Sequence, residues 1–317
     1  MKIFHGIENA NIAKPTVLTL GVFDGLHLGH QRIMNRVVER ARVLGGVATA
    51  ITFDPHPRAV LHPESAPPLL QTLDQRLANF DVLGIEQAIV VKFDPEFASQ
   101  PAEQFLRDVI HDRFHAKEVY LGQGFAFGRD RGGNIELLRS MAGELGFVAD
   151  EVAEVQVHGQ RVSSSAIRRL LLDGRVNLAR RMLGRPYGVE GIIVRGLRRG
   201  HTIGFPTANL TPRNRVIPRH GVYATATLID SVWRRSITNI GVRPTFEENA
   251  DPSIETHIFD FDGDLYGDVL RVRFLHRLRD ERKFSGIDEL RAQIERDAAR
   301  ARNYFAHRGV RNMLALL

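Results

Sequence analysis

Ten residues constrain this chain more than any other stretch: Gly21-Val22-Phe23-Asp24-Gly25-Leu26-His27-Leu28-Gly29-His30. They follow residues 16–20, a β-branched and apolar run of strand length. They precede residues 32–44, in which Ile33, Val37, Ala41 and Leu44 recur at helical spacing. A strand, a glycine-rich turn and a helix are therefore expected in that order. Backbone N–H groups at such a helix start lack intrahelical partners, and the helix dipole adds to their pull on anions. His27 and His30, three apart, are expected to face one anion. Transfer at a nucleotide α-phosphate is the chemistry this suits, with N–H donors stabilising the developing charge. The bland alternatives are a turn built only for tight packing, and histidines that bind metal or decorate the surface. Zinc is the poorer of these, because no third ligand is evident nearby and the chain has no cysteine.

At 317 residues the chain is long for one core, so two domains are expected. No apolar run approaches the length of a membrane span, and the first residues lack the pattern of a signal peptide. Absence of cysteine removes disulfides and thiolate chemistry and fits a cytoplasmic protein. The net charge of +6 admits nucleic acid as a partner, but the basic residues are spread widely. Phosphorylated small molecules account for that balance better.

Residues 47–53 read as a buried strand ending in Asp54-Pro55-His56-Pro57-Arg58, whose prolines predict a stiff loop reaching to Pro68. A helix over 73–83, a strand over 88–91, a helix over 101–114 and a strand over 119–122 follow. Within that second helix Phe105, Val109, Ile110 and Phe114 form an apolar face. Alternating strands and helices imply parallel pairing with right-handed crossovers, an α/β parallel-sheet domain with its ligand beyond the strand C-termini. In the loop over 122–134, Phe125 and Phe127 face a flat ring or merely anchor a hairpin. Ser163, Ser164 and Ser165 ahead of an apolar helical run are ordinary N-caps, or with Arg168 a phosphate cradle.

The block over 21–30, the loop over 125–133 and residues 161–168 together resemble the adenylyltransferase half of the prokaryotic bifunctional riboflavin kinase/FAD synthetase family. The resemblance implies that His27 and His30 bind ATP phosphates, with contacts from Phe23, Asp24 and Arg161. Ser163, Ser164, Ser165 and Arg168 would hold the triphosphate from the other side, and Phe125 and Phe127 would lie near the flavin. FMN would attack the α-phosphorus and pyrophosphate would leave. Gly124 and Ala126 stand where that family often has polar residues, which motivates a rival: a riboflavin kinase with a weakened adenylyltransferase half. A nucleic-acid-binding protein on the same fold is the rival from another class.

A helix is expected over 172–183, and Gly184-Arg185-Pro186 marks a boundary between domains 1–185 and 186–317. Beyond it, residues 187–194, 221–228, 235–240, 253–259 and 270–275 read as closely spaced strands, so a small antiparallel β-barrel is expected. One closing helix over 287–304 is expected to turn Leu290 and Ile294 inward. Thr207 and Asn209, if extended, share a side and offer two oxygens to Mg²⁺ or phosphate. Glu255 is either a surface position of an alternating strand or a placed base.

Pro206 to Asn209, residues 239–245, and Glu255 with His257 resemble the riboflavin kinase module of the same family. That implies a Mg-ATP site at Gly200, Gly204, Thr207 and Asn209, with Glu255 as the base. Residues 278–284 resemble the segment near the flavin in these kinases, which points to Arg279, Glu281 and Phe284. The substrates implied are riboflavin, FMN and ATP, and the products FMN and FAD. The sequence is compatible with a weak homo-oligomer.

Overall fold

The computed structural model describes residues 1–10, 15–195, 204–242 and 252–307. The chain divides into two compact units, Met1–Ser164 and Ser165–Leu317.

The first unit is built on a six-stranded parallel sheet in the order β1-β4-β3-β2-β5-β6. Its strands are β1 (Lys2–His5), β2 (Thr16–Leu20), β3 (Val47–Asp54), β4 (Gln87–Lys92), β5 (Ala116–Gly122) and β6 (Val148–Val152). All five residues of β2 are buried, as befits a central strand covered on both faces. β1 and β6 lie at the sheet edges and bury little, so neither carries the continuous apolar run that marks the inner strands. Helix α1 (Leu28–Leu44) lays Ile33, Met34, Val37, Val38 and Ala41 on the sheet. Leu44 does not join them: the helix stops at Gly45, whose left-handed conformation (φ +60°) closes it, and Leu44 is exposed.

Two local expectations are corrected here. The proline segment is not all loop, since Pro57–Leu61 is a short helix with Pro57 in its first turn. There its missing N–H costs nothing, and His56 Nδ1 accepts from Arg58 N at 3.0 Å. The helix expected over 101–114 winds as a π-helix across Phe105–Arg113, with Phe114 N donating to Val109 O at 3.0 Å.

The second unit is a closed antiparallel barrel in the order β10-β13-β12-β11-β14-β9. A hairpin in the first unit, β7 (Gln156–Val157) and β8 (Gln160–Arg161), precedes it in sequence. The barrel strands are β9 (Tyr187–Val194), β10 (Ala208–Pro212), β11 (Gly221–Ile229), β12 (Val232–Val242), β13 (Pro252–Ile258) and β14 (Val269–Arg279). Five of the six were expected; β10 reads in sequence as a glycine-bearing loop with a capping Asn. Two helices run here: Ser164–Leu172, the apolar run expected behind the serines, and Val176–Leu183, which starts later than the 172–183 expected because the chain turns at Gly174 (φ +76°). The helix Ile287–Ala306 packs on the outer barrel wall, placing Ala298, Ala301 and Phe305 against Val222, Ala224 and Leu275. Leu290 and Ile294 are only half-buried, contrary to expectation. The inward stripe instead includes two polar residues, Gln293 and Asp297, which is why an apolar count misplaces it.

Candidate functional site

In the first unit the turn after β2 brings both histidines to the start of α1. His27 is its N-cap: Nδ1 accepts from His30 N at 3.3 Å, which leaves Nε2 to carry the proton of a neutral ring. The rings stack, with centroids 3.6 Å apart and planes at 18°. His30 Nδ1 is buried with no hydrogen-bond partner among the described residues. Burial first, and the neighbouring His27 second, hold the His30 pKa well below its ordinary value. His30 is therefore neutral at pH 7.

The side chains around this pair hold the turn in shape. Phe23 has φ +53°, is buried, and sets its ring edge-on to His30 at 5.3 Å and to Phe80 at 5.7 Å. The Asp24 carboxylate, 4% exposed, accepts from Leu70 N at 2.9 Å and Gln71 N at 3.2 Å. Gly25 has φ +80°, and a Cβ there would strike Leu70 Cδ1 at 2.6 Å. Ser164 Oγ donates to Asp24 O at 2.8 Å, which brings part of the serine run to the turn. Arg161 pairs with Glu154 at 2.7 Å on the surface. Phe127 is buried against Phe105, and Phe125 stacks on Phe127 at 6.4 Å, so both aromatics anchor their loop. Ser165 and Arg168 belong to the second unit, where Ser165 is exposed and Arg168 buried.

One residue of this region escapes sequence reasoning. Arg76 is 2% exposed, and its Nη1 donates to Val22 O (2.7 Å), Thr52 Oγ1 (3.0 Å) and Phe53 O (3.2 Å). A buried guanidinium thus ties the glycine turn to the end of β3. Its pKa is lowered by burial, against the pull of Asp54 and Asp24. An arginine on an ordinary amphipathic helix gives no sign of this in sequence.

In the barrel, register gathers the polar residues. Asn209 on β10 stands opposite Glu255 on β13, and Glu255 stands opposite Asn239 on β12. The three share one outer face across adjacent strands. Ser253 Oγ donates to Glu255 Oε1 at 3.1 Å, which orients a half-buried carboxylate. A Cβ on Gly241 would collide with Glu281 Oε1, so Glu281 reaches the same cluster. Thr207, Asn209 and Thr256 line a cavity of about 420 Å³ together with Phe261, Asp262 and Tyr266. His257 Nδ1 lies 2.8 Å from Pro206 O and pins the segment leading into β10. Burial lowers the His257 pKa, against the pull of that carbonyl. Gly204 is described, at φ +82°; Gly200 and residues 243–245 lie outside the described residues. Arg279 does not stand open: its Nε donates to the buried Asp297 at 2.7 Å, and its guanidinium lies 5.8 Å from the Phe284 ring.

A phosphate-type turn on a parallel sheet, followed by a barrel in which Thr207, Asn209 and Thr256 line one cavity, fits a two-unit transferase handling nucleotides. A family model described as FAD synthetase matches residues 9–166, and one described as riboflavin kinase matches residues 183–305. The chain belongs to the bifunctional riboflavin kinase/FMN adenylyltransferase family. It is 37% identical to the member from Bacillus subtilis, covering 97% of this chain and 99% of that one. Identity to the Haemophilus influenzae member is 34%, covering 96% and 99%. A crystal structure named a macrolide-efflux protein from Streptococcus pneumoniae superposes with a TM-score of 0.87 at 30% identity, covering 96% and 99%. Among the described residues no helix is long and apolar enough to cross a membrane.

Proposed function

We propose that the chain phosphorylates riboflavin to FMN with ATP in residues 186–317 and adenylylates FMN to FAD in residues 1–185. The observation that carries this reading is the stacked histidine pair capping α1, in a chain whose second unit has its own oxygen-lined cavity.

In adenylylation, an FMN phosphate oxygen forms the new bond to the α-phosphorus while the bond to pyrophosphate breaks. No protein nucleophile is needed; positioning and charge stabilisation suffice. His27 Nε2 and the free N–H groups of the first helical turn face the phosphates, and His30 completes the contact. Ser163 and Ser164, in the same unit, hold the triphosphate with them, and Arg161 adds charge. Asp24 and Phe23 act through the shape of the turn. Phe125, half-buried on its loop, borders the flavin, with Phe127 behind it.

In phosphorylation, Glu255 takes the proton of the ribityl hydroxyl as that oxygen bonds to the γ-phosphorus and ADP departs. Thr207 and Asn209 are oxygen donors of the kind Mg²⁺ accepts alongside substrate phosphates. Bound there, the ion would neutralise phosphate charge. Gly204 lets the backbone approach the nucleotide, while Arg279, Glu281 and Phe284 border the flavin. A cytoplasmic enzyme with small-molecule partners, self-associating weakly if at all, completes the reading. Chromatography of products after incubation with riboflavin and MgATP tests it: FMN and then FAD are expected. Recovery of unchanged riboflavin overturns it.

A further inference from the structure

Inside the barrel, five side-chain hydroxyls form one unbranched hydrogen-bonded row. Thr227 lies 2.7 Å from Ser236, and Ser236 2.8 Å from Thr225. Thr225 lies 2.8 Å from Thr238, and Thr238 2.9 Å from Thr256. All five are fully buried. A hydroxyl has a single proton to donate, so a row of five makes four bonds and leaves one proton over. Bonds in such a row polarise one another and favour a common direction.

The two ends differ. If the row ran toward Thr227, the spare proton would sit on a hydroxyl for which, among the described residues, Ser236 is the only hydrogen-bond partner. An unsatisfied buried donor is costly. If it runs the other way, each hydroxyl donates toward β13 and the spare proton lies on Thr256. Thr256 lines the cavity that also holds Thr207 and Asn209, and register sets it directly across from Ala208, between those two.

We propose that Thr256 is a nucleotide-binding residue of the kinase unit. Its hydroxyl, oriented in advance by the interior row, donates to an acceptor atom of the bound nucleoside triphosphate. The inference rests on reading the barrel as the kinase. Thr225, Thr227, Ser236 and Thr238 are then positioning residues that act through Thr256.

Steady-state phosphorylation of riboflavin by the full chain tests this. Thr256→Val keeps the side-chain shape and removes the donor, and is expected to raise KM for MgATP about 10-fold, the scale of one lost hydrogen bond. KM for riboflavin stays at the wild-type value. Thr256→Ser keeps the hydroxyl and restores KM for MgATP. Thr238→Val breaks the row behind Thr256 without touching the cavity lining, and raises KM for MgATP by a smaller factor, about 3-fold. An unchanged KM in Thr256→Val, or an equal loss in Thr256→Ser, overturns the assignment. No change in Thr238→Val overturns the part played by the row. A wild-type chain that phosphorylates no riboflavin overturns the kinase reading itself, a result distinct from the others.

Discussion

His30 shows how a residue can be legible in type and illegible in state. The spacing of His27 and His30 announces two imidazoles at a helix start, but their stacking and the neutrality of His30 depend on burial that only the fold supplies. His30→Ala is expected to abolish FAD formation from FMN while riboflavin phosphorylation persists, measured by following both products; loss of both would contradict separate sites. A stability effect follows as well. The folded His30 pKa lies below the ordinary value of 6.5, so below that pH the unfolded chain binds a proton that the folded chain refuses. The stabilisation is complete above the unfolded pKa and is lost as pH falls through it. Lowering pH from about 7.5 to about 5.5 should therefore depress the thermal midpoint of the first unit, and His30→Gln should flatten that dependence.

Elements were legible where one residue pattern decided them. The inner strands β2 to β5 and five barrel strands carry continuous or alternating apolar runs. The edge strands β1 and β6 bury too little to announce themselves. The strand β10 is hidden by a Pro-Thr-Ala-Asn sequence that reads equally as a turn. The closing helix misleads for a different reason: its inward face is held by charge as much as by apolar contact. Asp297 is 1% exposed and accepts from Arg279 Nε at 2.7 Å and from Gln293 Nε2 at 2.9 Å. Asp297→Ala removes the acceptor for both and should destabilise the second unit by about 3 kcal/mol, the scale of a broken buried pair. The midpoint of urea unfolding checks this; an unchanged midpoint would mean that the apolar stripe alone secures the helix.

On the scale of the whole molecule, two halves matched by separate family models allow the two reactions to be separated by mutation. Glu255→Gln should stop riboflavin phosphorylation and leave FAD formation from added FMN unchanged. A mixture of Glu255→Gln and His30→Ala chains, each unable to make FAD from riboflavin, should make it together through FMN released into solution. Failure of the mixture, with each partial activity intact, would mean that FMN does not leave the chain on which it forms. The succession of domains was readable because each half carries a motif whose residues lie close in sequence. Arg76, Ser253 and Thr256 were not, since their partners are set by strand register and tertiary packing. The stacked pair at the head of α1 has one more effect. With His30 uncharged, a passing chloride ion meets no fixed charge on that ring. A polyphosphate brings enough negative charge to draw a proton onto His30 and hold it there. The turn can therefore sort anions by valence as well as by shape.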